Sequence, residues 1–169
     1  RSKVLKEKKY EKFLENAAEL EVETVVVITG GLSPENKDLI SQRQMVLEEL
    51  EHLIAIAESS KIKIALEPLH PMVCGLRSVI SSLAEANDLL DKLNRDDIIG
   101  IAVDTYALWW EAKLKEEIHR AGNRLLNFHV SDWLLETRDV RLDRGMPGDG
   151  QINNPLIRTW MREAGYKGP

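Results

Sequence analysis

The chain has 169 residues, of which 43% are hydrophobic and 30% charged, and its formal charge is −5. This length and composition are those of an ordinary globular protein, and we expect residues 1–169 to form a single domain. The excess of acidic over basic residues argues against a nucleic-acid partner, and no apolar run approaches the roughly 20 residues that a membrane span requires.

Helix and strand patterns alternate in the first half of the chain. Apolar residues at helical spacing predict a helix over residues 3–20, and the β-branched run 24–29 predicts a strand buried on both faces. Ser33 and Pro34 suit an N-cap and a first-turn proline, so we expect the next, long helix to begin there. Residues 62–67 are predicted to form the second strand.

The alternation continues to the end of the chain. Ser82 and Glu85 have the spacing of a capping box, and Gly122 is placed to end a short charged helix over residues 111–120. Two further strands are predicted over residues 98–104 and 125–131, and a last helix begins at Asn154 after a polar loop. This order predicts an α/β protein with a parallel sheet, either an open doubly wound sheet or a (β/α)8 barrel.

Three consecutive predicted strands end in a residue that can bind a metal ion: Glu67, Asp104 and His129. The carboxyl ends of parallel strands meet at one edge of a sheet, so these side chains are expected to converge. Two carboxylates and an imidazole suit Mn²⁺, Mg²⁺, Zn²⁺ or Co²⁺. Each residue alone has an ordinary structural explanation, whereas the set of three favours a divalent metal site.

The segments that carry these residues resemble those of the xylose isomerase-like TIM-barrel superfamily, which includes sugar phosphate isomerases and epimerases and the AP endonuclease family 2 type. The segments are LEPLHP at 66–71, VDTY at 103–106, FHVSD at 128–132 and DRGMPGDGQI at 143–152. The resemblance implies a (β/α)8 TIM barrel, here a partial barrel that covers roughly the fourth to seventh βα units. The chain has no initiator Met, and we expect it to be an excerpt that is incomplete at both ends.

The same resemblance implies a function and a cofactor. Glu67, Asp104 and His129 are expected to bind a divalent metal together with a glutamate from a strand beyond residue 169. The implied activity is that of a metal-dependent sugar or sugar-phosphate isomerase or epimerase, in which Glu67 transfers a proton and the reaction passes through an enediolate. Two alternatives stay open: an inosose-type polyol dehydratase of the same superfamily, and a truncated remnant without catalytic activity.

Four further residues are candidates for substrate binding. His70 lies in the loop after Glu67, where it either hydrogen-bonds a substrate hydroxyl or packs between the prolines at 68 and 71. Arg144 precedes a Gly-rich turn where a sugar oxygen or an anion can bind, and a loop salt bridge is its alternative role. Trp109 follows the strand of Asp104 and can stack on a sugar ring, although packing is an equal alternative. Asp132 either contacts the substrate, orients His129 or caps a loop.

The sequence also bears on partners and cellular compartment. A small sugar or sugar phosphate is the expected ligand, no nucleic-acid or membrane partner is expected, and a homo-oligomer is an open option. Gly145 stands where the DNA-repair branch of the superfamily has a histidine, which argues against abasic-site cleavage. The single cysteine, Cys74, excludes an internal disulfide and favours a cytoplasmic location.

Overall fold

A computed structural model describes the backbone of residues 2–169 and the side chains of residues 8–169. Helices and strands alternate through most of its length. In chain order the elements are α1 (Ser2–Glu19), β1 (Thr24–Val27), α2 (Leu39–Ser60), β2 (Lys63–Leu66), α3 (Leu83–Leu93), β3 (Ile99–Asp104), α4 (Thr105–Leu108), α5 (Leu114–Ala121), β4 (Leu125–His129), β5 (Asp132–Trp133), β6 (Arg144–Gly145) and α6 (Asn154–Glu163). Short 3-10 turns lie at Pro71–Val73 and Gly122–Arg124.

The four longer strands form one parallel sheet in the order β1-β2-β3-β4. Each strand therefore pairs with the next one along the chain, and a helix lies in each connection. The face of the sheet that meets the helices carries large apolar side chains, among them Ile64, Leu66, Ile101 and Val103. The alternate positions, which face away from the helices, carry small residues such as Ala65 and Ala102.

The two outer strands of this sheet are less buried than the sequence pattern predicts. We expected the β-branched run at the start of the chain to be buried on both faces, but β1 is half-buried along its length. The reason is its position, because β1 pairs with β2 alone within the sheet. A groove of about 610 Å³ runs between α1, β1 and α2, and Phe13 on its wall is 57% exposed.

The long helix α2 begins later than predicted. Ser33 and Pro34 lie in the preceding loop, where the N–H of Asn36 donates to the carbonyl of Ser33. Asp38 is the N-cap instead, and its carboxylate accepts a hydrogen bond from the N–H of Ile40 at 3.0 Å. Ser33 and Asp38 are both of a residue type that suits an N-cap. Because Ser33 takes part in the hydrogen bonds of the loop, the helix begins only after Asp38.

The predicted boundaries at Ser82 and Gly122 agree with the structure, whereas α5 begins at Leu114, three residues after the predicted start at residue 111. Ser82 caps α3 through the N–H of Glu85, and Gly122 follows α5 with a positive φ of 52°. The short helix α4 and the β5–β6 hairpin were not predicted. Within the described residues, no helix is long and apolar enough to cross a membrane.

Candidate active site

Glu67, Asp104 and His129 lie together at the carboxyl ends of three neighbouring strands. Glu67 directly follows β2, and Asp104 and His129 are the last residues of β3 and β4 and lie opposite each other in the register. Strand alternation places them on the same face as Ala65 and Ala102, away from the helices. The convergence that the sequence predicts at this edge is therefore present in the fold.

Glu67 and His129 are paired directly. The Oε1 atom of Glu67 lies 3.1 Å from Nδ1 of His129, and the glutamate is buried at 8% exposure. This hydrogen bond is the main reason that the pKa of His129 lies above its ordinary value, and the negative charges of Glu67 and Asp104 act in the same direction against the effect of burial.

Asp104 is almost fully buried and both of its carboxylate oxygens are occupied. Oδ1 accepts from the N–H of Tyr106 at 3.0 Å, and this bond caps the start of α4. Oδ2 accepts from Nη1 of Arg144 at 2.8 Å. Burial raises the pKa of this carboxyl group, and Arg144 and the N–H of Tyr106 oppose that rise.

The donor set suits a divalent cation, although these side chains are not arranged as a coordination shell. Among the described residues, no three His, Cys, Asp or Glu side chains are placed to hold a metal ion. In their chemical type, however, two carboxylates and one imidazole are the ligands that divalent cations prefer. Oδ2 of Asp104 is already paired with the guanidinium of Arg144, so this buried carboxylate has a positively charged partner within the protein. Glu67, Asp104 and His129 thus supply donor types that suit a divalent cation, and a metal site at these residues stays a prediction.

His70 lies in an aromatic wall beside the strand ends. Its ring centroid is 4.7 Å from that of Trp133 and 6.0 Å from that of Trp110. Burial lowers its pKa, so the ring is neutral near pH 7, and its Nδ1 accepts from the N–H of Met72. The ring proton is consequently on Nε2, which makes that atom a hydrogen-bond donor.

Trp109 belongs to the same wall. Its ring centroid is 5.8 Å from that of Trp133, and its indole N–H is buried without a hydrogen-bond partner within the described part of the chain. The ring therefore packs on a neighbour, as the packing alternative predicts, and sugar binding by Trp109 stays a prediction.

Asp132 holds the loop that carries Arg144. It is fully buried, and its oxygens accept from the N–H groups of Trp133, Gly148 and Ile152 at 2.8–2.9 Å. Burial would raise its pKa, but the backbone N–H groups outweigh that effect and bring the pKa below its ordinary value. Of the roles considered for Asp132, this geometry favours loop capping.

The sequence did not single out Tyr106, which the structure places at the centre of the site. Its ring stacks on Trp133 at 4.8 Å, and the guanidinium carbon of Arg144 lies 4.4 Å above the ring. The available signal was its position two residues after Asp104 at a strand end. Its contacts come from the β5–β6 hairpin, which the sequence did not predict.

Comparison with known proteins yields a family and several solved structures. The family model for the xylose isomerase-like TIM barrel matches residues 6–169. A search of curated proteins gives no match. A protein of Sinorhizobium meliloti 1021 is 34% identical with a TM-score of 0.90, over 95% of this chain and 58% of its own.

Two further solved structures share the fold at lower identity. The IOLI protein with a bound zinc atom is 21% identical with a TM-score of 0.79, over 99% of this chain and 60% of its own. The 3-keto-D-glucoside 4-epimerase YcjR from E. coli is 24% identical with a TM-score of 0.74, over 96% and 60% of the two chains. The chain thus spans about three-fifths of the length of the structures it matches, as a partial barrel does.

Proposed function

The chain belongs to the xylose isomerase-like TIM barrel family, and from this premise we propose that the protein is a divalent-metal-dependent isomerase or epimerase of a sugar or sugar phosphate. The observation that carries the proposal is the pairing of Glu67 with His129 next to the buried Asp104. The names of several solved relatives describe sugar epimerases, which supports this class of reaction. The free cysteine, Cys74, supports a reducing, cytoplasmic setting.

Glu67 is the group we propose for proton transfer. Its carboxylate takes a proton from the carbon next to the carbonyl group of the sugar. The electron pair of that C–H bond forms a carbon–carbon double bond, and the π pair of the carbonyl group moves to the carbonyl oxygen, which gives an enediolate. Return of the proton to the former carbonyl carbon gives an isomer, because the hydroxyl proton of the enediolate moves to the charged oxygen and a new carbonyl group forms. Epimerisation needs a second acid on the opposite face of the sugar, which gives a proton to the original carbon while Glu67 keeps the one that it removed. His129 holds the Glu67 carboxylate in position through its Nδ1 atom.

Glu67, Asp104 and His129 are also the residues we propose to hold Mn²⁺, Mg²⁺, Zn²⁺ or Co²⁺. The chemistry that such an ion supplies when bound is Lewis-acid stabilisation of the negative charge on the enediolate. The IOLI structure with its zinc atom supports a metal in this fold.

Substrate binding is assigned to the residues around that centre. We propose that the Nε2–H of His70 and the guanidinium of Arg144 donate to sugar oxygens, and that Trp109 forms part of an apolar wall along the ring. Asp132 acts indirectly, because it holds the loop on which Arg144 lies.

The test is proton exchange by the full-length protein. Ketoses and their phosphates are incubated in D₂O with each of the four metals, and deuterium at the carbon beside the carbonyl is measured by NMR. We expect exchange with the wild type, loss of at least about 100-fold with Glu67→Gln, and no change with Glu136→Gln, a matched control on an exposed loop. Loss of activity on EDTA treatment and recovery with one metal are also expected.

Two results would contradict the proposal. Unchanged proton exchange in Glu67→Gln would exclude Glu67 as the base. Release of water from a polyol, detected as a product lighter than the substrate by the mass of one water molecule, would identify a dehydratase in place of an isomerase.

A further inference from the structure

A small basic pocket lies next to the Arg144–Asp104 pair. Its volume is about 20 Å³, and its polar lining consists of His70, Arg77, Tyr106, Arg141 and Arg144. No carboxylate lines it. Three guanidinium groups around one pocket indicate a site for a negatively charged group.

Two of these arginines have no protein counter-ion. Arg144 is paired with Asp104, but no acidic side chain of the described residues forms a salt bridge with Arg77 or Arg141. The acids of the adjacent loop bind backbone instead: Asp139 accepts from the N–H of Arg141, and Asp143 accepts from that of Arg138. Two positive charges at the pocket therefore remain available to a ligand.

One residue of the pocket lining, Tyr106, carries an unused buried hydroxyl. Tyr106 is 1% exposed, and its hydroxyl has no hydrogen-bond partner among the described residues. A buried polar group without a partner is destabilising, so such a group is expected where a ligand completes the hydrogen bond. His70 adds the Nε2–H donor described above.

We propose that this pocket is an anion subsite, which binds the phosphate or carboxylate group of the sugar. The proposal rests on the proposed function for the sugar itself and narrows its substrate class to anionic sugars. The pocket holds about one water molecule, so one oxygen of the anion enters it beside Tyr106. The rest of the anion lies at the mouth, where Arg77 and the exposed Arg141 reach it.

Equilibrium binding to the full-length protein tests the subsite without relying on turnover. The probes are inorganic phosphate, ribulose 5-phosphate, glucuronate and uncharged ribulose, measured by calorimetry. We expect Arg77→Gln and Arg141→Gln each to weaken binding of the preferred anion about 10-fold or more, and Tyr106→Phe to weaken it several-fold. Arg77→Lys keeps the charge and is expected to recover part of the affinity.

The matched control is Arg138→Gln. Arg138 is an exposed arginine of the same loop without a salt bridge among the described residues, and we expect this variant to bind within about twofold of the wild type. Preference for ribulose 5-phosphate over glucuronate identifies a phosphate site, and the reverse preference identifies a carboxylate site.

Two outcomes would overturn the subsite. One is equal binding of charged and uncharged sugars, and the other is an equal effect of Arg77→Gln and Arg138→Gln. The proposed function is tested separately by proton exchange. If anion binding depends on Arg77 but no proton exchange occurs, the proposed reaction is wrong and the anion subsite is retained.

Discussion

Arg144 and Asp104 join two parts of the fold that lie 40 residues apart. Nη1 of Arg144, on β6, is 2.8 Å from Oδ2 of Asp104 at the end of β3, and the carboxylate is 2% exposed while the arginine is 38% exposed. The same guanidinium lies over the ring of Tyr106. One arginine therefore both neutralises a buried carboxylate and fixes the hairpin over the strand ends.

This pair is expected to show a measurable coupling energy in metal-free protein. In a double-mutant cycle of Arg144→Gln and Asp104→Asn, urea unfolding should give about 1–2 kcal/mol of coupling, less than for a fully buried pair because Arg144 is partly exposed. The exposed pair Arg95–Asp97 is the control and should give below about 1 kcal/mol. Equal coupling in both cycles would contradict the structural role of Arg144.

The loop held by Asp132 is expected to loosen when its carboxylate is replaced. Asp132→Asn turns a charged acceptor into an amide with one acceptor oxygen, so we expect a loss of about 2–3 kcal/mol in the free energy of unfolding. Faster hydrogen exchange is expected at the N–H groups of Gly148 and Ile152. Asp149→Asn, on the same loop but exposed, is the control and should change neither quantity.

Asp132 also predicts a pH dependence of stability. Its pKa is lowered in the folded protein, so its stabilising contribution is complete above the ordinary carboxyl pKa of about 3.9 and is lost as the pH falls through the lower folded value. Unfolding of Asp132→Asn should therefore depend less on pH in this acidic range. If the free energy of unfolding of Asp132→Asn changed with pH as steeply as that of the wild type, other carboxyl groups would be the main cause of the loss of stability in acid.

The alternation of helices and strands and the three strand ends could be predicted from the sequence, because both depend on local periodicity. Ile101, Val103 and their neighbours form a buried apolar run, and Asp104 ends it. The sequence also predicted the cap at Ser82, since that capping bond joins residues three positions apart.

Features that depend on distant contacts could not be predicted. Asp132 is bonded to the N–H of Ile152, 20 residues away, and Arg144 reaches Asp104 across 40 residues. The half-burial of β1 depends on which strands flank it, which its own apolar residues do not encode. Local pattern also placed the start of α2 wrongly at Ser33, whereas the N-cap is Asp38.

The Glu67–His129 pair predicts a change in the pKa of His129 that NMR can measure. In protein treated with EDTA, Glu67→Gln should lower the pKa of His129 towards the ordinary value of about 6.5, because the hydrogen bond that His129 donates to the Glu67 carboxylate is the main cause of the raised pKa. Ring ¹⁵N shifts followed over pH report this directly, and Glu136→Gln should leave the titration unchanged.

The Glu67–His129 pair also makes the stability of the protein depend on pH. The folded pKa of His129 is raised, so its contribution is complete below the unfolded pKa and is lost as the pH rises through the folded value. Glu67→Gln should therefore lose more stability at pH 5 than at pH 8. An equal loss at both pH values would show that the two residues are not electrostatically coupled.

The open side of β1 predicts self-association when residues 1–169 are expressed alone. β1 has one strand neighbour, and the groove beside it exposes Phe13 and half-buried valines. Unpaired strand edges of this kind pair with other chains. Sedimentation velocity at rising concentration should show dimers or larger species, and Val26→Lys should reduce them by placing a charge on that strand. Leu142→Lys removes an exposed leucine far from β1 in sequence and should have no effect. A monomer at every concentration that melts cooperatively would contradict this prediction.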